Sequence, residues 1–361
     1  MILTNQKIEL IGLSKEELKE ELVKIGEKAF RAKQIWHWLY HQGETDFAKM
    51  SSLSKDLREK LPEHFTITRP EIIKEQNSED RTRKWLLQFN DREKIETVYI
   101  PEEDRGAVCI STQVGCAVGC KFCNTGCQGL TRNLTAAEIV SQFMVARDSY
   151  GEWPTPTDTT RYLSNVVVMG MGEPLHNTNE TIKALKILTD PDGIGLSKRR
   201  VTLSTSGVAS RITKIASELG VKLALSLHAP NNKIRDSIMP INKKFKIEEV
   251  LDACKEYQNI TGARQYITME YVMLDGINDA PEHARELVKI MKQRNLGVKF
   301  NLIPFNPWEG SEFKCSSRNK IVKFSRILED AGFSAPVRVS RGQDISAACG
   351  QLKTKESKSE T

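Results

Sequence analysis

The stretch Cys116-Ala117-Val118-Gly119-Cys120-Lys121-Phe122-Cys123 places three thiols at the spacing C-x3-C-x2-C, shortly after a predicted strand at Ala107–Ser111. Three thiolates can hold three irons of a cubane cluster and leave the fourth iron open to an external ligand. Gly115 and Gly119 let the backbone wrap closely around the inorganic sulfides. The stretch therefore predicts a [4Fe-4S] cluster. Its predicted ligands are Cys116, Cys120 and Cys123.

Zinc is the alternative metal for these thiols, with Cys109 or Cys127 as a fourth ligand. Structural zinc prefers two paired C-x2-4-C knuckles, and the triplet has no second knuckle at that spacing. Five of the eight cysteines lie within residues 109–127, which indicates metal or redox chemistry rather than a disulfide framework. Cys254 and Cys315 are predicted to be ordinary small residues, and Cys127 is not assigned as a ligand.

The composition bounds the class of protein. The chain has 361 residues, of which 39% are hydrophobic and 28% are charged, and this length allows two domains. No apolar run approaches the roughly 20 residues needed to cross a bilayer. The N-terminus lacks the basic-then-apolar pattern of an export signal. We therefore expect a cytoplasmic location and no membrane partner. A monomer is also expected, although no feature of the composition decides the oligomeric state.

The charge permits a nucleic-acid partner without proving one. The net charge is +6, which is mildly basic. Three basic clusters are more local, and each taken alone is usually a solvated face. The clusters are Arg81–Lys84, Lys198–Arg200 and Lys243–Lys246.

Strands and helices alternate from about residue 107 onward. The predicted strands are Ala107–Ser111, Asn165–Met169, Val201–Ser204, Lys222–Leu227, Tyr266–Met273 and Val298–Ile303. Helical patterns separate them, which gives six βα units and predicts a parallel sheet with right-handed crossovers. Six units are too few for the usual eight-stranded closure. We therefore expect an α/β fold built on an open, partial (β/α)6 barrel.

The rest of the chain divides around this barrel. A helical front is predicted from the capping box at Ser14, a helix over Phe30–Tyr40, and a third helix that begins at the cap Ser54 and ends at Pro62. Two strands, Trp85–Phe89 and Ile95–Ile100, follow it. Residues 1–75 are predicted to form a small all-α accessory domain that contacts RNA, and residues 76–106 a β-rich connector. Residues 107–335 are predicted to form the partial barrel. The C-terminal segment, residues 336–361, is expected to add a strand at Val337–Ser340 and to end in a disordered tail at Lys353–Thr361.

Polar and glycine-rich loops follow the predicted strands. They are Gly170–Pro174 after the second strand, Ser204–Gly207 after the third, Ser226–His228 after the fourth and Pro304–Pro307 after the sixth. Because ligands gather at the carboxyl ends of parallel strands, these loops and the cysteine triplet predict one site.

These motifs resemble the radical S-adenosylmethionine superfamily. The triplet has its cluster spacing, and Gly170–Pro174 is similar to the loop that binds the methionyl amino group in that superfamily. The resemblance implies that S-adenosylmethionine is the external ligand of the cluster. The residues implied to contact it are Gly172, Glu173, Ser204, Ser226, Leu227, His228 and Asn306.

Finer features resemble one family, the dual-specificity adenine-C2 methyltransferases of 23S rRNA and tRNA. The likeness covers nearly the whole chain, and its motifs are Glu96–Pro101, Cys109, Met169–Leu175, Ser226–Pro230 and Asp344–Leu352. It implies substrates in the peptidyl-transferase centre and next to the anticodon. It also implies two S-adenosylmethionine molecules per turnover and an electron donor such as a flavodoxin or ferredoxin.

The same resemblance assigns three catalytic residues. Cys349 would accept a methyl group from the first S-adenosylmethionine, and a 5′-deoxyadenosyl radical from the second would take a hydrogen from that methyl group. The resulting methylene radical would add to carbon 2 of adenine. Glu96 would take the carbon-2 proton, and Cys109 would attack Cys349, form a transient disulfide and release the methylated RNA.

Two other functions are compatible with some of the same residues. A related family methylates carbon 8 of adenine in 23S rRNA and shares the triplet and both extra cysteines. Pro174, the segment Phe305–Trp308 and the longer front domain favour the C2 family. The other rival, a zinc-stabilised RNA-binding module, predicts a colourless protein without catalysis.

Overall fold

The first helix of the chain begins at a polar cap that precedes an apolar stripe, whereas the predicted cap Ser54 makes no side-chain hydrogen bond to the helix that follows it. The computed structural model describes residues 7–103, 105–157, 161–262 and 265–354. The Glu17 N–H donates to the Ser14 hydroxyl and the Ser14 N–H donates to the Glu17 carboxylate, which confirms the predicted capping box. Leu18 and Leu22 are buried below it. The elements are β1 (Ile8–Glu9), α1 (Lys15–Lys24), α2 (Arg31–His37), α3 (Lys55–His64) and β2 (Phe65–Thr66).

Two expectations for this front part are wrong in detail. Pro62 lies inside α3, which continues to His64, because burial of Leu57 and Leu61 against the core outweighs the lost backbone hydrogen bond. The part is also not purely helical, since β1 and β2 pair in parallel at its two ends. A π-helical turn at Trp38–Gln42 continues α2.

Three antiparallel strands connect the front to the barrel. They are β3 (Glu71–Asn77), β4 (Arg83–Gln88) and β5 (Lys94–Pro101). The strands β4 and β5 lie where the sequence predicts two strands. The sequence does not predict β3, because this edge strand is exposed along most of its length and lacks apolar alternation.

The six predicted parallel strands lie side by side. After β6 (Gly106–Cys109) and the short pair β7 (Gln113–Gly115) and β8 (Leu130–Asn133), they continue as β9 (Leu163–Val168), β10 (Val201–Thr205), β11 (Lys222–Ser226), β12 (Ile267–Met273) and β13 (Val298–Pro304). The sheet order is β13-β12-β11-β10-β9-β6-β5-β4-β3. No pairing joins β13 to β3 in the described ranges, so the partial barrel is confirmed and β5, β4 and β3 extend its sheet.

Six helices lie between or after the parallel strands where the sequence predicts them, and two short helices, Asn124–Cys127 and Asn232–Ile238, are not predicted. In chain order, the helices of this part are α4 (Asn124–Cys127), α5 (Ala136–Tyr150), α6 (Thr178–Thr189), α7 (Ala209–Glu218), α8 (Asn232–Ile238), α9 (Ile247–Thr261), α10 (Pro281–Gln293) and α11 (Arg318–Asp330). None of the helices in the described part of the chain combines the length and the apolar composition that crossing a bilayer requires.

The C-terminal segment is not a strand over Val337–Ser340. Only a single bridge joins Val337 to Leu302 there, because the chain then turns across the open face of the barrel. Lys353 and Thr354 contact the core through backbone hydrogen bonds, so the predicted disorder does not begin at Lys353. The remainder of that predicted tail, residues 355–361, lies outside the described residues.

Candidate active site

The three predicted cluster ligands lie on the loop between β7 and α4. The Cys116 N–H donates to the Gly129 carbonyl at 2.8 Å, which ties the loop to the start of β8. Gly115 has φ 75°, and a side chain there would collide with the same Gly129 carbonyl. Glycine is therefore required at this position. All three cysteine side chains line one cavity.

The donor chemistry fits a cluster better than a single ion. A tetrahedral zinc ion holds its sulfurs at ~2.3 Å, which places them roughly 4 Å apart. No three His, Cys, Asp or Glu side chains within the described ranges converge in that way. Burial raises the pKa of all three thiols, that of Cys116 to about 12. The positive charge of bound iron would convert them to thiolates. The zinc alternative is therefore not favoured.

The cavity beside this loop lies at the carboxyl ends of the parallel strands and has a volume of about 980 Å³, which includes space open to solvent. This is within the range of cofactor sites. Most of the residues implied to contact S-adenosylmethionine line it: Gly172, Glu173, Ser204, Ser226, His228 and Asn306. Leu227 does not, because it is fully buried beneath the rim.

Glu173 joins two of the loops that line the cavity, Gly170–Pro174 and Ser204–Gly207. The Leu175 N–H and the Thr205 hydroxyl donate to its Oε1 at 2.9 and 2.8 Å. The N–H and hydroxyl of Ser206 donate to its Oε2 at 2.6 and 2.7 Å. Since a carboxylate has about four acceptor sites, all of them are engaged within the chain. Glu173 thus positions both loops through hydrogen bonds within the chain.

His228 is a neutral imidazole with a defined tautomer. The Val272 N–H donates to its Nδ1 at 3.0 Å, so the ring proton is on Nε2. Burial and the nearby Arg235 lower the pKa of His228 to about 3. The ring therefore offers the cavity an uncharged N–H donor.

Arg235 holds two of the cavity loops in place from the interior of the protein. It is fully buried on α8 and donates to the carbonyls of Ser206, Ser226 and Leu227 at 2.6 to 3.0 Å. These carbonyls end β10 and β11, so one guanidinium fixes the spacing of two cavity loops. The sequence does not single out this residue, because its acceptors are backbone atoms.

Cys109 and Cys349 lie together on a second cavity that adjoins the first. Both line it with Asn306 and Arg338, and Cys349 lines the first cavity as well. Burial, followed by the neighbouring Cys349, raises the pKa of Cys109 to about 12, and the Arg338 guanidinium opposes this rise. None of the eight cysteines, all within the described ranges, forms a disulfide. The structure therefore brings the two extra cysteines to one place beside the cluster loop.

Residues 342–354, here called the strap, carry Cys349 across the open face. The Asn124 N–H and the Thr125 hydroxyl on α4 each donate at 2.7 Å, to the Gly350 and Leu352 carbonyls respectively. The Asn306 amide donates to the Cys349 carbonyl at 3.2 Å. Asn306, implied to bind S-adenosylmethionine, is therefore also a support of the strap.

Glu96 lies beneath the strap and lines neither cavity. Lys84 Nζ contacts its Oε1 at 2.8 Å, and the Lys353 N–H donates to its Oε2 at 2.8 Å. Lys84 also donates to the Ser346 carbonyl at 3.1 Å. Burial raises the pKa of Glu96, and Lys84 opposes this. A signal for Lys84 exists in the sequence, because it lies two residues from Leu86, the partner of Glu96 across β4 and β5, and so shares its face.

Comparison with known proteins shows the family. Residues 8–67 match the ribosomal RNA large subunit methyltransferase N-terminal domain, and residues 110–288 match the radical SAM superfamily. The dual-specificity RNA methyltransferase RlmN of Paramagnetospirillum magneticum is 58% identical over 98% of this chain and 77% of its own length. That of Rhodospirillum rubrum is 57% identical over 96% and 80%.

A solved structure agrees with these relatives. A radical SAM methyltransferase from Sphaerobacter thermophilus superposes with a TM-score of 0.89 at 42% identity, over 96% of this chain and 100% of that one. The fold and the cluster loop described above are those of a radical S-adenosylmethionine enzyme with a [4Fe-4S] cluster. The chain belongs to the RlmN family of dual-specificity RNA methyltransferases.

Proposed function

We propose that this chain methylates carbon 2 of adenosine, in 23S rRNA at the peptidyl-transferase centre and in tRNA next to the anticodon. The observation that carries the two-thiol radical chemistry is the pair Cys109 and Cys349 on one cavity beside the cluster loop, and membership of the RlmN family supports carbon 2 over carbon 8. Carbon 2 lies between two ring nitrogens and is electron-poor, so it does not attack a methyl sulfonium. A carbon radical carried on sulfur can add to it, and a second thiol can then release the product.

The cluster loop and the larger cavity form the cofactor half of the site. Cys116, Cys120 and Cys123 hold the cluster, which when bound supplies the electron that cleaves S-adenosylmethionine to a 5′-deoxyadenosyl radical. Gly172, Ser204, Ser226 and the Nε2–H of His228 contact the methionyl and ribose groups with donors and acceptors of suitable type. Hydrogen bonds to Glu173 and from Arg235 fix the positions of these loops relative to one another. Two S-adenosylmethionine molecules are consumed per turnover.

Cys349 is the methyl carrier. Its side chain is exposed and lines both cavities, so it faces S-adenosylmethionine on one side and Cys109 on the other. As a thiolate it attacks the methyl group of the first S-adenosylmethionine. The S-methyl group then loses a hydrogen atom and adds its carbon to adenine.

Glu96 and Cys109 complete the reaction. Glu96 takes the carbon-2 proton as a general base; burial raises the pKa of this carboxylate, and Lys84 opposes the rise. Because Lys84 and the Lys353 N–H cover Glu96, the strap lifts before the proton is transferred. Cys109, whose thiolate form Arg338 favours, then attacks the Cys349 sulfur. The S–S bond forms as the bond from that sulfur to the methylene carbon breaks, the released carbon takes a proton and becomes the methyl group, and the single electron that started the reaction would be given back to the cluster.

The partners follow from the same proposal. The target adenine leaves its stack to reach Cys349, and a site that accepts both a rRNA and a tRNA reads shape more than sequence. A flavodoxin or ferredoxin supplies the electron. The enzyme acts as a monomer in the cytoplasm.

Analysis of the modified nucleoside tests the proposal directly. The anaerobically reconstituted enzyme is given reductant, S-adenosylmethionine and protein-free 23S rRNA, and the digested RNA is identified by mass spectrometry. We expect 2-methyladenosine from the wild type, and a covalent protein–RNA adduct from Cys109→Ala, which lacks the resolving thiol.

Three results would contradict the proposal at different levels. 8-Methyladenosine would keep the radical chemistry but change the target carbon. Normal turnover by Cys109→Ala without an adduct would exclude the two-thiol scheme. A colourless zinc protein without methyladenosine would leave only an RNA-binding module.

A further inference from the structure

A basic groove opens on the barrel at the end opposite the cluster loop. It is defined here by Arg105, Arg199, Arg200 and Lys222 together with the inner residue Arg338, and its volume is about 1370 Å³ including open solvent. Ser197, Asn165 and Thr202 give it further hydrogen-bonding groups. Its walls therefore combine an excess of positive charge with polar groups and a single carboxylate, that of Glu102.

Most of these cations have no acidic partner among the described residues. Among the ion pairs within 4 Å in the described part of the chain, none involves Arg199, Arg200 or Lys222, whereas Arg105 contacts Glu102. Partial burial, followed by Lys299 and the arginines of the groove, lowers the pKa of Lys222. Like charges held this close repel one another, and a bound polyanion would relieve the repulsion.

The groove and the active site share one face of the sheet. On β11, Lys222 and Ser226 are four residues apart and so point to the same side, about 13 Å apart along the strand. On β10, Thr202 lines the groove and Ser204 lines the larger cavity. Arg338 lines the groove and both cavities, so it lies at the junction.

We propose that the basic groove binds the phosphate backbone of the substrate RNA, and that the target nucleotide leaves the strand at Arg338 to reach Cys349. This inference rests on the proposed function and adds to it the surface that the RNA occupies. Phosphate contacts by unpaired cations supply sequence-independent affinity, which suits an enzyme with two different RNA substrates.

The other two basic clusters are less suited to this role. Within Arg81–Lys84, Arg83 pairs with Glu75 and Lys84 is buried against Glu96. In Lys243–Lys246, Lys246 pairs with Asp236 and none of its lysines lines a groove described here. Of the three clusters, Lys198–Arg200 alone contributes to the wall of a described cavity.

Charge neutralisation tests the groove. RNA affinity is measured over a series of salt concentrations for Arg199→Gln/Arg200→Gln and for the matched double variant Lys243→Gln/Lys244→Gln, which removes the same charge from exposed residues elsewhere. We expect the groove variant to bind RNA roughly tenfold more weakly or worse, and to lose about 1.4 from the slope of log affinity against log salt. Arg199→Lys/Arg200→Lys should retain most of the affinity, because the charge is kept. The matched control should resemble the wild type.

A second readout separates this inference from the proposed function. Methylation of Cys349 by S-adenosylmethionine needs no RNA, so its yield, measured by mass spectrometry of the Cys349 peptide, should be the same in all these variants. A groove variant with wild-type affinity and salt slope would overturn the groove alone. A wild-type protein that methylates Cys349 but neither binds nor methylates RNA would overturn the proposed function and this inference together.

Discussion

The cofactor half of the site and the strap are attached to the fold in different ways. The cofactor half stands at the ends of buried parallel strands, and its loops are tied by fully or almost fully buried charged groups, Glu173 and Arg235. The strap is held at its start by half-buried or exposed groups instead. There Asp80 accepts from the Gly342 N–H at 2.9 Å, and Asp344 accepts from the Ser78 hydroxyl at 2.6 Å.

The difference matches what each half must do. A cluster and its ligand need fixed geometry, which buried and fully paired polar groups provide. Cys349 must meet a methyl donor, then an adenine, then Cys109, and these positions differ. The start of the strap, which is held by half-exposed hydrogen bonds, opens at lower cost than its end, where the buried Thr125 and Glu96 bind the backbone of Leu352 and Lys353. Radical generation and methyl carriage are therefore separable by mutation.

The largest expected effect comes from removing one cysteine of each half. Cys120→Ala should lose the cluster and all 5′-deoxyadenosine formation, because no other described thiol replaces it on the loop. Cys349→Ala should lose RNA methylation equally but still form 5′-deoxyadenosine slowly, since the cofactor half stays complete. Iron content and 5′-deoxyadenosine are measured by absorbance and mass spectrometry.

The exposed Cys127 provides the control for this pair. Cys127→Ala should keep iron, cleavage and methylation. If Cys349→Ala abolished S-adenosylmethionine cleavage together with methylation, the two halves would not be separable.

The next effect concerns the base beneath the strap. Glu96→Gln should slow RNA methylation by about 10² to 10⁴-fold, the usual contribution of a general base. Because Lys84 lowers the pKa of Glu96 against the effect of burial, Lys84→Met should raise that pKa further. Less carboxylate would then be present at a given pH, and the rising limb of the pH–rate profile should move to higher pH.

Lys84→Arg is the matched control, because it keeps the positive charge and should leave the profile nearly in place. The pH dependence of single-turnover methylation decides between the variants. A lower rate in Lys84→Met with an unmoved profile would indicate a structural role for Lys84 instead.

The cofactor half is predictable from the amino-acid sequence for a physical reason. Parallel strands are buried on both faces and give clear apolar runs, and their carboxyl ends must meet at one edge. The strand pattern alone therefore brings together the loops at Cys116–Cys123, Gly170–Pro174 and Ser204–Gly207. The six parallel strands are predictable for the same reason.

The strap contacts are beyond such reasoning. Glu96 and Lys353 are 257 residues apart, and their contact uses a backbone N–H that no side-chain pattern reveals. The position of Leu227 is beyond it for a related reason: its side chain is buried away from the cavity, and its backbone carbonyl accepts a hydrogen bond from Arg235. Its contact with S-adenosylmethionine stays a prediction. The exposed edge strand β3 has no apolar alternation to detect.

A smaller effect, on stability, is expected from a substitution in the cofactor half of the site. Arg235→Met keeps the volume but leaves the Ser206, Ser226 and Leu227 carbonyls without their donor. We expect the free energy of unfolding to fall by about 3 kcal/mol, since buried acceptors without partners are costly. Arg285→Met, which removes an exposed guanidinium whose ion pair within the described ranges is with Glu282, should change the free energy of unfolding by less than about 0.5 kcal/mol. Denaturant unfolding measures both, and equal shifts would contradict the rigid role of Arg235.

The smallest effect is expected at the strap. Asp80 accepts from the Thr82 and Gly342 N–H groups, and although burial acts in the opposite direction, these hydrogen bonds lower its pKa to about 2. Asp80→Asn weakens the contact with Gly342, and we expect a cost of only about 0.5–1 kcal/mol. The cost should be confined to the strap, so hydrogen exchange at residues 342–354 should become several-fold faster while the parallel strands keep their protection.

Asp91→Asn is the appropriate comparison for this last variant. Asp91 is also a carboxylate with a lowered pKa, but it pairs with Arg132 away from the strap. Asp91→Asn should therefore leave hydrogen exchange at residues 342–354 unchanged. Faster exchange throughout the sheet in Asp80→Asn would mean that the strap and the barrel open as one unit. Faster exchange confined to the strap would show that the methyl carrier moves on a barrel that stays closed around its cofactor.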